Sequence, residues 1–267
     1  MDTNLIIRAL TPPAVYMLRD KLLSTRARWE HLPDWPLAEN GLYDSNSTSE
    51  ILSNAARIPS VTLTGPLSKV LTHHNWILQF WIAALLAKQE FGKMSILDFG
   101  GCIGDYYDLA QALMPGEHIE FHVLDLPKVI EIGAKLRPHV TFHTDIETVP
   151  TTINLITAIS SLHYIEDWRT TLRQLADLHA GYILMNRMPL IDNPSTYPVM
   201  QKTKMSKNPA WVFNRSDLIE AATNSGYSLV REFLNDPESP CPKLPGCPTI
   251  GGFLFRSTPV DTTAHST

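Results

Sequence analysis

From residue 94 onward, short apolar runs alternate with segments whose apolar residues recur at helical spacing. The runs at 96–99, 119–124, 140–143, 153–159 and 182–186 predict buried strands. The segments at 106–114, 128–136 and 168–178 predict the helices between most of them. Strands that alternate with helices, and that are apolar throughout rather than at every second position, form a parallel sheet covered on both faces. A helix is predicted over 216–225, with Ser216 as N-cap and Gly226 as its stop. Runs at 227–234 and 252–256 follow without a helix between them, which predicts a closing antiparallel pair. Before residue 93 no strand pair stands out. Helices are predicted over 10–32, 47–58 and 66–91, with a loop at Trp35-Pro36 between the first two. The chain thus divides into a helical cap, 1–92, and an α/β domain, 93–267. The polar stretch 192–209 has the composition of a mobile lid.

Where the first predicted strand ends, at Asp98, the sequence runs Asp98-Phe-Gly-Gly-Cys-Ile-Gly-Asp105. Glycine allows positive φ and lets a ligand approach the backbone closely. A turn through Gly100, Gly101 and Gly104 that opens a helix near Asp105 presents free N–H groups to a polar ligand. A nucleotide-like ligand at the carboxyl end of a first parallel strand suits this arrangement. The dinucleotide pattern G-x-G-x-x-G fails, because Cys102 and Asp105 stand where glycines are needed. A P-loop fails for lack of a Lys-Ser/Thr after the last glycine.

Composition narrows the classes. With 267 residues and 44% hydrophobic content, one sizeable core is affordable. The net charge is −5 and no basic cluster occurs, which argues against nucleic acid as partner. Three cysteines without a CxxC suit a reducing, cytoplasmic setting. No signal-peptide pattern opens the chain. The longest apolar stretch, 76–87, is about half a membrane span and contains Gln79, so no membrane is expected. No group of residues has metal-ligand spacing, and neighbours such as His73 and His74 do not face together on a helix. No metal is expected.

Three further positions follow strand ends, where an open α/β sheet lines its crevice. Asp125 closes the second strand, beside Leu126, and suits a pair of ribose hydroxyls; as an alternative it caps the helix that Pro127 opens. Asp145, beside Ile146, suits an adenine amine or else a plain N-cap. Ser160 ends the fourth strand, and His163 and Tyr164 follow. Histidine suits removal of a proton from an acceptor hydroxyl, and the alternative is that it only packs. Arg187 and Lys202 follow the fifth strand and suit an acceptor carboxylate or a solvated loop. Trp211 walls an acceptor pocket or joins the core. Cys241 and Cys247 lack the spacing of a metal knuckle.

Asp98-x-Gly100-x-x-x-Gly104 resembles motif I of the class I S-adenosylmethionine (SAM) methyltransferases, usually acid-x-Gly-x-Gly-x-Gly, with Cys102 in place of the middle glycine. Tyr43-Asp-Ser, Ile96-Leu-Asp-Phe-Gly-Gly, Ile159-Ser-Ser-Leu, Tyr164-Ile-Glu-Asp, Asn186-Arg-Met-Pro, Trp211-Val-Phe, Gly226-Tyr-Ser-Leu-Val-Arg-Glu-Phe and Gly252-Phe-Leu-Phe-Arg256 occur in that order. Together they resemble a bacterial methyltransferase family of unassigned acceptor, over about residues 40–256. The resemblance implies a Rossmann-like, seven-stranded class I sheet and SAM as cofactor. It implies Asp98, Gly100, Gly101, Gly104, Asp125, Leu126, Asp145, Ile146 and Ser160 as cofactor-binding residues. In small-molecule O-methyltransferases a Leu-His at the place of Leu162-His163 supplies the base. His163 is therefore the candidate catalytic residue, with Tyr164, Arg187 and Trp211 toward the acceptor. The family usually has acid-Arg-Thr-Pro where this chain has Asn186-Arg187-Met188-Pro189, and another polar residue at the His163 place. The expectation is methylation of a small-molecule acceptor, at oxygen in the first instance. N- or C-methylation, a non-methylating SAM-fold enzyme and a non-catalytic binding subunit are the alternatives. The apolar stretch 76–87 suits packing either on its own domain or on a second subunit, as in a homodimer, and oligomeric state stays open.

Overall fold

A computed structural model of the chain describes residues 28–36, 75–202, 207–236 and 241–258. In chain order the elements are β1 (Arg28–His31), α1 (Asn75–Phe91), β2 (Met94–Phe99), α2 (Asp105–Leu113), β3 (Ile119–Leu124), α3 (Pro127–Leu136), β4 (Thr141–His143), β5 (Leu155–Ile159), α4 (Trp168–Ala176), β6 (Tyr182–Ile191), β7 (Tyr197–Lys202), β8 (Lys207–Asn214), α5 (Arg215–Asn224), β9 (Tyr227–Asp236) and β10 (Thr249–Ser257). One-turn 3₁₀ helices at Ile146–Thr148 and Leu162–Tyr164 follow β4 and β5.

The predicted alternation is present. Strands β4, β3, β2, β5 and β6 lie side by side in that order, all parallel. The chain therefore winds outward from β2 through β3 to β4, then returns to β5 on the other side. This reversal between β2 and β5 opens a crevice at the carboxyl ends of the strands. Strand β10 pairs antiparallel with β6 and β9 antiparallel with β10, the closing pair expected from the sequence. Every residue of β5 is buried, as a central parallel strand requires.

Two cores sandwich the sheet. On one face Leu97, Ile156, Ile183 and Phe253 pack with α4 and α5 through Leu172, Leu175, Leu218 and Ala222. On the other, Ile96, Phe121, Leu155 and Leu184 pack with α1 and α2. Helix α1 turns Ile77, Phe80, Ala83, Ala84 and Ala87 inward. Its alanines let the helix lie close to the strands. Burial of Phe80 alone contributes about 1.5–3 kcal/mol.

The structure corrects three expectations. The end of the helix predicted over 10–32 is instead strand β1, which pairs antiparallel with β7; residues 10–27 lie outside the described residues. The described residues of the stretch 192–209 are largely strand rather than open loop. They carry β7 and the start of β8, an antiparallel pair joined to the main sheet where Leu190–Ile191 run parallel to Phe213–Asn214. The polar composition misled because Val199, Ala210 and Val212 bury one face against Ile191 and Leu244, while Lys202 and Lys207 face outward. The cap of α5 is Asn214, not Ser216: its Oδ1 accepts from Ser216 N and Asp217 N at 2.9 and 3.3 Å. The sheet thus reaches ten strands, the seven expected plus β1, β7 and β8. The predicted helix over 47–58 and the pair His73-His74 lie outside the described residues. No described helix is long and apolar enough to cross a membrane.

Candidate functional site

Strand β2 ends at Phe99 because Gly100 turns with φ 68°. Its N–H donates to Leu124 O at 2.8 Å, which holds the turn against the end of β3. A side chain at Gly100 would run into Ser161. At Gly101 a Cβ would sit 2.5 Å from Asp98 Oδ2. Gly104, at φ 82°, caps α2. Cys102, where the usual motif has glycine, also takes positive φ, 54°. The turn geometry is therefore kept by strain in one non-glycine residue rather than lost. Burial pushes its thiol up to about 12, with Asp125 adding to the effect.

Asp125 stands at the end of β3 and accepts from Cys102 N at 2.8 Å and Leu126 N at 2.6 Å. It is not the helix cap: Leu126 holds that position, with Pro127 opening α3. Burial raises its carboxyl pKa. Asp145 caps the Ile146–Thr148 turn and accepts from Glu147 N at 3.0 Å. Asp125, Leu126, Asp145, Ile146, Gly100, Ser160 and Tyr164 all line one cleft of about 350 Å³. Phe99, Leu124 and Ile165 complete its apolar wall, and Thr144, Ser161, Thr171 and Gln174 add polar groups.

Asp98 lies fully buried behind this cleft. Its Oδ1 accepts from Thr157 Oγ1 at 2.7 Å, while Oδ2 has no partner among the described residues. Burial drives its pKa up to about 7; Thr157 pulls the other way, and the nearby acids Asp125 and Asp105 add to the rise. Ser161 Oγ is a second buried group without a described partner. Two acids, Asp125 and Asp145, line the cleft and a third, Asp98, lies buried beside its glycine turn, which suits a cation-bearing ligand better than a polyphosphate.

The remaining predicted residues lie beside this cleft, in the turn after β5 and within β6 and β8. His163 is buried in the Leu162–Tyr164 turn, outside the lining of the cleft, with its ring 4.0 Å from that of Tyr164. Its Nδ1 has no described partner, and burial, helped by Arg187, pushes its pKa down to about 3. Tyr164 donates to Gln201 Oε1 at 2.6 Å and so ties the cleft to β7. Trp211 stacks on Trp35 and donates to Ile165 O at 3.0 Å. Arg187 is exposed, with φ 55° inside a strand. Asn186 Oδ1 accepts its N–H at 2.7 Å, and Asn186 Nδ2 in turn donates to Gln79 Oε1 of α1. Gln79, the odd polar residue of the apolar helix, thus has its partner in a buried asparagine.

Several site residues escaped the sequence reading. Thr157 looks like an ordinary strand residue, and only its register beside Asp98 reveals it. Tyr106, on α2, lies near Arg187; burial raises its pKa and the Arg187 charge pulls the other way. Asn186 did carry a signal, as an amide closing an otherwise apolar strand. Among the described residues no cluster of metal-ligating side chains occurs.

A family model described as "Methyltransferase domain" matches residues 77–232. Among solved structures, the fold is similar to the 1,6-didemethyltoxoflavin-N1-methyltransferase of Burkholderia thailandensis, solved with bound 1,6-didemethyltoxoflavin and S-adenosylhomocysteine. The TM-score is 0.55 at 15% identity, over 89% of this chain and 98% of that one. An S-adenosylmethionine-dependent methyltransferase from Mesorhizobium loti matches 61% of this chain and 90% of its own, with TM-score 0.44 and 14% identity. No curated protein matches the chain.

Proposed function

This chain belongs to the methyltransferase-domain family, and from that premise we propose that its cleft binds SAM and that it methylates a small-molecule acceptor at oxygen. The observation that carries the reading is the buried Asp98, whose free Oδ2 sits behind the glycine turn, with Asp125 and Asp145 at successive strand ends. These groups fit SAM. Asp125 would accept from the ribose hydroxyls, Asp145 and Ile146 would flank the adenine, and Asp98 would face the amino-acid ammonium. When bound, SAM supplies an electrophilic methyl carbon on a sulfonium.

The protein's own part is alignment and charge. Holding an acceptor oxygen in line at short range converts a bimolecular step into a unimolecular one, which lowers the barrier by several kcal/mol. Ser160 and Tyr164 border the cleft where the acceptor must approach, and Arg187 and Trp211 lie beyond them. His163, neutral at ordinary pH, would accept a hydrogen bond from the acceptor hydroxyl. A pKa near 3 makes it a weak base, so its contribution is orientation more than full deprotonation. Cys102 does not undercut the site, since its N–H still reaches Asp125.

Calorimetric titration with SAM and S-adenosylhomocysteine tests the cofactor assignment, and transfer from methyl-labelled SAM to a panel of hydroxylated acceptors tests the chemistry. Micromolar binding of both cofactor forms is expected. Absence of binding by either would end this reading.

A further inference from the structure

We propose that Arg187 and Tyr106 form an oxyanion-recognition site, so that the acceptor is an aromatic compound carrying a carboxylate. This inference rests on the proposed function and specifies the substrate class of the same site.

Three observations point to it. First, the Arg187 guanidinium has no carboxylate partner among the described residues, although seven ion pairs occur elsewhere in them. It lies instead 5.5 Å from the centre of the Trp76 ring and near the Tyr106 hydroxyl, whose pKa its charge lowers against the effect of burial. An exposed guanidinium beside an aromatic ring, with no carboxylate partner among the described residues, is suited to a planar oxyanion. Tyr106 in turn makes ring contacts with Trp76 and with Phe80, each at 5.5 Å between centres.

Second, the backbone is built to aim this residue. Arginine at φ 55° within a strand is strained, and such strain persists only where surrounding structure enforces it. Asn186 enforces it from its own strand, held by Gln79 of α1. Opposite, strand β10 slips its register between Gly251 and Phe253. A Cβ at Gly252 would sit 2.6 Å from both Asn186 Oδ1 and Met185 O. The bulge therefore needs glycine there, and Asn186 and Gly252 act as positioning residues.

Third, the place is right. Ser160, on the wall of the cofactor cleft, donates its N–H to Asn186 O at 2.9 Å and its hydroxyl to Arg187 O at 3.4 Å. Arg187 thus adjoins the cleft. An acceptor that arrives as an anion also suits a site whose histidine is a weak base. Its oxygen lone pair forms the new C–O bond, the C–S bond breaks with its electron pair left on sulfur, and no proton has to leave.

The test is titration of the S-adenosylhomocysteine-loaded protein with 4-hydroxybenzoate and with 4-hydroxybenzamide. The expected result is at least tenfold tighter binding of the benzoate. Arg187→Met should abolish that preference and leave S-adenosylhomocysteine affinity within about twofold. Tyr106→Phe should reduce benzoate affinity several-fold. Equal binding of the two probes, binding of neither, or a preference that survives Arg187→Met would overturn the inference. So would a tenfold loss of S-adenosylhomocysteine affinity in Arg187→Met, because Arg187 would then hold the cofactor's own carboxylate. If S-adenosylhomocysteine itself does not bind the wild type, the proposed function falls and takes this inference with it.

Discussion

Asp98 offers a sharp test, because its protonation couples stability and ligand binding in opposite directions. Its pKa of about 7 in the folded protein lies about three pH units above the ordinary carboxylate value of 3.8. At about 1.4 kcal/mol per unit, this corresponds to about 4 kcal/mol. Since the folded value is raised, the folded state holds the extra proton between about pH 4 and pH 7. The contribution to stability is fully present below about pH 4 and is lost as pH rises through 7. Asp98→Asn, which keeps an acceptor for Thr157 and never ionises, should therefore stabilise the ligand-free protein at about pH 8, by up to the same ~4 kcal/mol, and flatten its pH dependence. Binding runs the other way. An ammonium needs the ionised carboxylate, so wild-type affinity for S-adenosylhomocysteine should rise with pH and level off above 7. For a pKa of 7, the gain between about pH 5.5 and pH 8 is about 30-fold. Asp98→Asn should bind more weakly at about pH 8 and show no such rise. Urea melts and calorimetry across this range read both effects. A wild-type affinity independent of pH, or an Asp98→Asn variant with the wild-type profile, would refute the assignment of Asp98 to the ammonium.

Three further outcomes follow from the geometry. Asp125→Ala should weaken S-adenosylhomocysteine binding by about 1–3 kcal/mol, the cost of polar groups left unpaired, and calorimetry showing no change would remove Asp125 from the ribose site. Cys102→Gly should raise thermal stability by the equivalent of about 1 kcal/mol, because φ 54° is free of strain for glycine, with ligand affinity kept through the unchanged N–H; a lower melting temperature would mean that the thiol's packing outweighs the strain. His163→Ala should slow methyl transfer by about 10- to 100-fold, below the range of a full general base, and the wild-type kcat profile should lack a break near pH 6.5. A break there would show that the bound acceptor restores an ordinary imidazole pKa.

The sequence made the sheet legible because parallel strands write themselves as apolar runs closed by polar residues. The positions that close those runs, Asp98, Asp125, Asp145 and Ser160, converge on one end of the sheet for the same reason. What stayed hidden depends on pairing across the chain. β7 and β8 are rich in polar residues and prolines, and they become strands only because β1 and Ile191 supply partners far away in sequence. β1 itself is four residues long, too short for a period to show. Thr157 matters through lateral register with Asp98, which no local pattern encodes.

The departures from the usual motif also take on meaning only in three dimensions. Asn186 stands where the family usually has an acid, in a run within β6, and an ionised acid at that position could not both accept the Arg187 N–H and donate to Gln79. An ionised carboxylate there would place a charge in a fully buried site beside the guanidinium and compete with any anionic ligand for it. The amide satisfies two backbone and side-chain partners while adding no charge. The exchange of acid for amide therefore leaves the Arg187 charge uncompensated at the edge of the cleft. In this reasoning the residue that holds the bulge and the residue that reads the acceptor are one device: neutrality at Asn186 is what makes Arg187 available to an anion.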